Sequence, residues 1–224
     1  MAAKGFNRSV YPNAIFPKVG INIFASSHGN RNHHLPEALR VLMTADQSRR
    51  FLLPSYDAQG GRIIDQGLVD LIKSDMDARS GQPQVIILIL GSNNLRDGGD
   101  PVSVAEHFRN VVDHCRTVQR CHVVLTGVIP CPKTDVFNPN AVNNTGSRHR
   151  FQLLSTELKK IANSNYPKCT FLSTSQFLTC DDESVDEQYF VRAGVHLNKK
   201  GAELLAFKIY EHLKHIPKKT WNRH

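Results

Sequence analysis

The sequence predicts a three-layer α/β/α domain built on a five-stranded parallel sheet, and three features predict it. The first is Gln84 to Gly91, QVIILILG, with six consecutive apolar residues from Val85 to Leu90. That run is too short for a membrane span and β-branched enough to be a strand buried on both faces. Such a strand needs helices on both sides of its sheet. The second feature is alternation: four more short apolar runs are separated by stretches of helical periodicity. The third is the polar or glycine-rich turn behind each of the first three strands, Gly91-Ser92-Asn93-Asn94 above all. In open α/β sheets the chemistry sits beyond the carboxyl ends of the strands, where that turn would lie.

Taken in order, residues 1–18 carry Pro12, Pro17, Asn7 and Asn13 without periodicity and read as an arm or linker. Val19 to Ala25 is a first strand that stops at Ser26-Ser27-His28-Gly29. A polar loop follows, then a helix with Pro36 in its first turn and Leu35, Leu39, Leu42 and Met43 as its stripe. Arg50 to Pro54 is the second predicted strand, closed by Asp57 and Gly60-Gly61. Ile63 to Ala78 is amphipathic, with Ile64, Leu68, Leu71 and Ile72 on one face, and Gly81 and Pro83 end it. Beyond the central strand come a helix from Val102 to Val118 and a fourth strand from His122 to Ile129. Cys131 to Arg148 is rich in Asn and Pro and is expected to be a long binding loop. Phe151, Leu154, Leu158 and Ile161 mark the next helix, Thr170 to Phe177 a fifth strand, and Asp181 to Glu187 an acidic loop. Asn198 opens the last helix, with Leu204, Leu205, Phe207, Ile209 and Leu213 expected inside. Residues 19–216 thus form the domain and 217–224 a basic tail containing Trp221. A flavodoxin-like strand order, 2-1-3-4-5, is expected for this pattern.

Composition bounds the function. The 224 residues suffice for one domain with its own core, and the net charge of +8 favours polyanionic partners. The five cysteines are odd in number and contain no CxxC, which suggests free thiols in a reducing, cytoplasmic setting. His114-Cys115 and Cys121-His122 fit a helix end and a strand start better than a zinc site, so no metal or other cofactor is expected. No apolar leader or membrane-length run is present. The apolar helix faces are all claimed by the sheet, which predicts a monomer.

Four strand-end residues carry candidate chemistry: Ser27, Gly61, Asn93 and His196. Leu90-Gly91-Ser92-Asn93-Asn94 and Val195-His196-Leu197-Asn198 with Gly201 resemble two blocks of the SGNH (GDSL) hydrolase family, over about Val19 to Leu213. That resemblance implies a serine nucleophile at Ser27, a histidine base at His196, and oxyanion donors from Gly61 and Asn93. Convergence of these groups from separate strand ends is what acyl transfer requires. Three departures stand out, the first being Asn94, where the resemblance leads one to expect aspartate. Ala25-Ser26-Ser27 replaces the family's G-D-S, and Ala193 stands three residues before His196, where the family places an aspartate. Without that carboxylate the imidazole loses the group that fixes its tautomer, so the expectation is a retired active site. For Ser26 and Ser27 capping of the following turn is the favoured reading over catalysis, and His196 is equally compatible with a packed, satisfied ring.

A damaged hydrolase site with a basic surface resembles the OSK domains of insect germ-plasm organisers. That resemblance implies a non-catalytic module that binds the 3′ untranslated regions of mRNA and germ-plasm proteins, in cytoplasmic ribonucleoprotein granules and away from membranes. Phosphate contacts would fall to Arg31, Arg40, Arg49, Arg50, Arg148, Arg150, Arg192, Lys199 and Lys200. His33, His34, Tyr56, Tyr189 and Phe190 are candidates to stack on bases, and Trp221 to add non-specific contact. Two alternatives stay open: an ester hydrolase using a Ser27–His196 dyad, and a protein scaffold that binds no RNA.

Overall fold

The computed structural model describes residues 18–26, 34–46, 50–132, 145–181, 184–192, 194, 196–217 and 220–221. Five parallel strands form one sheet: β1 (Gly20–Ala25), β2 (Ser55–Ala58), β3 (Gln84–Ile89), β4 (Cys121–Thr126) and β5 (Cys169–Leu172). Their order is β2-β1-β3-β4-β5, as the alternation predicts. Seven α-helices are described: α1 (His34–Ala45), α2 (Gln66–Ala78), α3 (Ser92–Arg96), α4 (Pro101–Thr117), α5 (Thr145–Ser164), α6 (Ser175–Leu178) and α7 (Lys199–Lys214).

β3 is central because all six of its residues are buried. At ~1.5–3 kcal/mol per large apolar side chain, that strand anchors both layers. Ile86 and Leu88 meet α2, α4 and α5 on one face. Val85, Ile87 and Ile89 meet α1 and α7 on the other. Local chemistry starts the helices where it should. Asp65 accepts from Leu68 N at 2.9 Å to cap α2, and Asp100 caps α4 through Ser103 N at 2.9 Å, with Pro101 just inside.

Several boundaries differ from the sequence expectation, each for a physical reason. The second strand is Ser55–Ala58, in register with Asn22 to Ala25, rather than Arg50 to Pro54. Pro54 has no N–H to give a ladder. Upstream of it, Phe51 makes only an isolated bridge to Val19, while Leu52 and Leu53 stay exposed. β5 stops at Leu172 instead of Phe177 because Thr174 turns away. Its hydroxyl donates to the Val128 carbonyl at 3.0 Å, and its own carbonyl accepts from Leu178 N at 3.1 Å. α2 begins at its Asp65 cap, leaving Ile63 and Ile64 outside it, and Leu71 faces solvent. Helix α5 starts at Thr145, inside what reads as loop. Phe207, expected in the core, is 45% exposed.

The predicted tail is part of the domain at Thr220 and Trp221, which are buried. Arg120 Nε donates to the Trp221 carbonyl at 2.9 Å, and the Arg50 guanidinium lies 6.0 Å from the indole centroid. None of the five cysteines forms a disulfide. Among the described residues no helix is long and apolar enough to cross a membrane.

Candidate active site

Two adjacent asparagines at the end of β3 hold the loop that follows β2. Gly91 enters α3 with φ +103°, and its missing side chain leaves room for Leu154. Asn93 then lies buried in the first turn and donates from Nδ2 to the Arg62 carbonyl at 2.9 Å. Asn94 is bidentate on one residue. Its Oδ1 accepts from Ile64 N at 2.9 Å, and its Nδ2 donates to Ile64 O at 2.8 Å. Arg62 closes the same turn onto Asp57, with an ion pair of 2.7 Å. Gly61, at φ +74°, is therefore fixed next to the asparagine amide. Its N–H has no hydrogen bond within the described structure. An amide nitrogen carries two protons. Arg62 takes one from Asn93, and the other is available to a ligand oxygen.

His196 rides on a short antiparallel hairpin that leads into α7. Val191 N donates to His196 O at 2.9 Å and Asn198 N to Tyr189 O at 2.9 Å, about the Phe190–Leu197 bridge. Gly194, at φ +72°, makes the turn, and its carbonyl accepts from Cys131 Sγ. Asn198 fastens the base of the hairpin. Its Oδ1 caps α7 through Gly201 N at 3.0 Å, and its Nδ2 donates to the carbonyls of Gln188 (2.8 Å) and Phe190 (3.0 Å). Gly201 must lack a side chain, since a Cβ there would sit 2.2 Å from Tyr189 O. The half-buried His196 is thus held by backbone on both flanks. At the end of β1, Ser26 is buried and its hydroxyl has no partner. Ser27 and Ala193 lie outside the described residues.

The model of the GDSL-like lipase/acylhydrolase family matches residues 24–204, a span that takes in Ser27, Gly61, Asn93 and His196. The chain belongs to that family. Solved structures agree in fold. A member of the lipolytic protein G-D-S-L family from Veillonella parvula superposes with a TM-score of 0.65 at 18% identity, over 88% of this chain and 99% of that one. The psychrotrophic esterase EstA from Pseudoalteromonas sp. gives 0.62 at 13%, over 87% and 96%. Est24, a carbohydrate acetylesterase from Sinorhizobium meliloti, gives 0.60 at 13%, over 88% and 99%. No curated protein matches the chain.

Membership of an acylhydrolase family corrects the expectation of a retired, RNA-binding module. The Gly61 turn and the Asn93-Asn94 turn are tied to each other, and the His196 hairpin is fastened to the start of α7. Asn94, which departs from the usual aspartate, is compensated: its amide serves both the N–H and the C=O of Ile64, where a carboxylate could serve only the former.

Several of the basic residues proposed for RNA have local partners of their own. Arg40 is paired with Glu37 at 2.7 Å on α1. Arg50 lies at the amino end of the sheet, bonded to Ile216 O and 5.1 Å from the Phe51 ring centroid. Arg150 is tied to Gly99 O, Lys199 is 3.9 Å from Glu203, and Lys200 bonds Gln188 while lying 5.4 Å from the Tyr189 ring centroid. Arg148 and Arg192 are exposed. Arg31 and Arg49 fall outside the described residues, as does His33. Phe190 and Trp221 are buried and unavailable for stacking. Sequence reasoning missed the positioning roles of Arg62, Asn94 and Asn198. The position of Asn198 directly before a helix was the one available signal, since asparagine is a strong N-cap.

Proposed function

We propose that this protein hydrolyses carboxylic esters, with Ser27 as nucleophile and His196 as general base. Ser27 Oγ attacks the ester carbonyl carbon while His196 takes its proton. The carbonyl electron pair moves to oxygen, which accepts hydrogen bonds from Asn93 Nδ2 and from the N–H groups of Gly61 and Ser27. Collapse expels the alcohol, which leaves with the proton from His196. Water, deprotonated by the same ring, then releases the acid and regenerates Ser27.

The observation that carries this reading is the Asn93–Arg62 bond, which holds the asparagine amide beside the Gly61 turn. Family membership supports it, as do the names esterase and acetylesterase borne by two structural neighbours. Ala193 stands where the family places its aspartate, so the site is a Ser27–His196 dyad, with the histidine carried on its hairpin. The finer likeness to OSK domains supports only this last point, the missing acid.

A fluorophosphonate probe is expected to label the wild type and to miss Ser27→Ala, and the same substitution is expected to abolish hydrolysis of p-nitrophenyl acetate. Absence of both labelling and turnover in the wild type would sink the proposal. Ala193→Asp restores the family's carboxylate position and is expected to raise kcat between ~10-fold and ~10⁴-fold, the range bounded by the loss seen when such an aspartate is removed.

A further inference from the structure

We propose that the protein carries a second ligand site, at the outer edge of the sheet between α5 and the carboxyl ends of β4 and β5, which binds amphiphiles with a short aliphatic body and an anionic head. A cavity of about 400 Å³ opens there, within the size range of small-molecule sites. Gly61, Asn93 and His196 do not line it. Its apolar wall is made by Val128, Phe151, Phe171 and Val185. β5 is the last strand of the sheet, so nothing from a sixth strand covers Phe171, which stays partly exposed.

The opposite wall is one stripe of α5. Arg148, Gln152, Ser155 and Lys159 follow at intervals of four, three and four residues, which keeps them on one face of the helix. Ser155 already accepts from Val128 N at 3.0 Å, leaving its own proton to donate. The two cations at the ends of the stripe, Arg148 and Lys159, are exposed, and neither has a carboxylate partner among the described residues; Glu157 pairs with Lys160 instead. No Asp or Glu is among the described lining residues. An apolar wall facing two cations that have no carboxylate partner among the described residues selects an aliphatic anion over a neutral or cationic ligand of the same shape. Carboxylate and phosphate heads share that chemistry.

Isothermal titration calorimetry with octanoate, octyl phosphate and octyltrimethylammonium tests the site. The wild type is expected to bind at least one anion, and the cation at least ten-fold more weakly. Which anion binds identifies the head group. The double variant Arg148→Glu/Lys159→Glu, checked for folding by circular dichroism, is expected to weaken anion binding at least ten-fold. Ser27→Ala is expected to bind like the wild type. Equal binding of the cation, unchanged affinity in the charge-reversed variant, no binding of either anion, or loss of binding in Ser27→Ala would each overturn the proposal. Binding without ester hydrolysis would leave this site standing and remove the hydrolase reading, so the two fail separately.

Discussion

Lowering the pH from 7 to 5 is expected to cost the fold about 2 kcal/mol through His122 alone. The side chain is fully enclosed on β4. Its Nε2 lies 2.9 Å from Thr170 Oγ1, and His212 Nε2 meets the same oxygen at 2.9 Å. A hydroxyl has one proton to give, so the ring that accepts it must be neutral. The Trp221 ring closes one side, with centroids 6.1 Å apart. Burial pushes the His122 pKa down to about 3, with the Pro167 backbone pulling the other way and the charges of His212 and Lys168 adding to the lowering. Burial lowers His212 as well.

The sign follows from proton uptake. Below the unfolded value of about 6.5 the open chain binds a proton that the folded chain refuses, so stability falls with pH. The loss begins near the unfolded pKa and continues towards the folded one, at about 1.4 kcal/mol per pH unit. Between pH 6.5 and 5 this gives about 2 kcal/mol, before buried His212 adds its share in the same direction. Urea unfolding at pH 7, 6 and 5, followed by far-ultraviolet circular dichroism, measures it. His122→Gln, which cannot titrate, is expected to start less stable and to decline by about 2 kcal/mol less over the same range. Equal declines in the two proteins would refute the argument.

Two further substitutions probe the scaffold of the active site. Asn94→Asp removes the donor to Ile64 O and sets a carboxylate against that carbonyl. It is expected to lower the unfolding free energy by ~1–3 kcal/mol in urea melts at pH 7, even though aspartate is the family's usual residue there. Gly201→Ala places a Cβ 2.2 Å from Tyr189 O, so the His196 hairpin must move. A loss of ~1–3 kcal/mol is expected, together with a kcat on p-nitrophenyl acetate that falls more than KM changes.

Much of the architecture was legible in the chain because each local signal had a single physical meaning. Val85 to Leu90 could be covered only by helices on two sides, and that requirement fixes three layers and a parallel sheet. The strand-end position of Asn93 followed, since a strand must end where its apolar run does, whereas His196, expected at a strand end, stands on the hairpin before α7. The edges of the sheet were less legible. β2 is short and half exposed, so the apolar run at Phe51 to Leu53 is a poorer guide to it than the hydrogen bonds of Ser55 to Ala58. Charge was the most misleading signal. A total of +8 says nothing of where the cations sit, and the fold sends Arg40, Arg50 and Arg150 to three separate duties.

By itself, then, the sequence determined the layers, the strand order and the residue types brought to the carboxyl edge of the sheet, because hydrophobic periodicity is a local property. Only the tertiary structure decided that Asn93 donates to Arg62, that Asn198 clamps the His196 hairpin, and that α5 turns Arg148 and Lys159 towards an open cavity. Those contacts join residues tens of positions apart, or depend on which face of a helix meets a sheet edge, and no spacing in the chain encodes either.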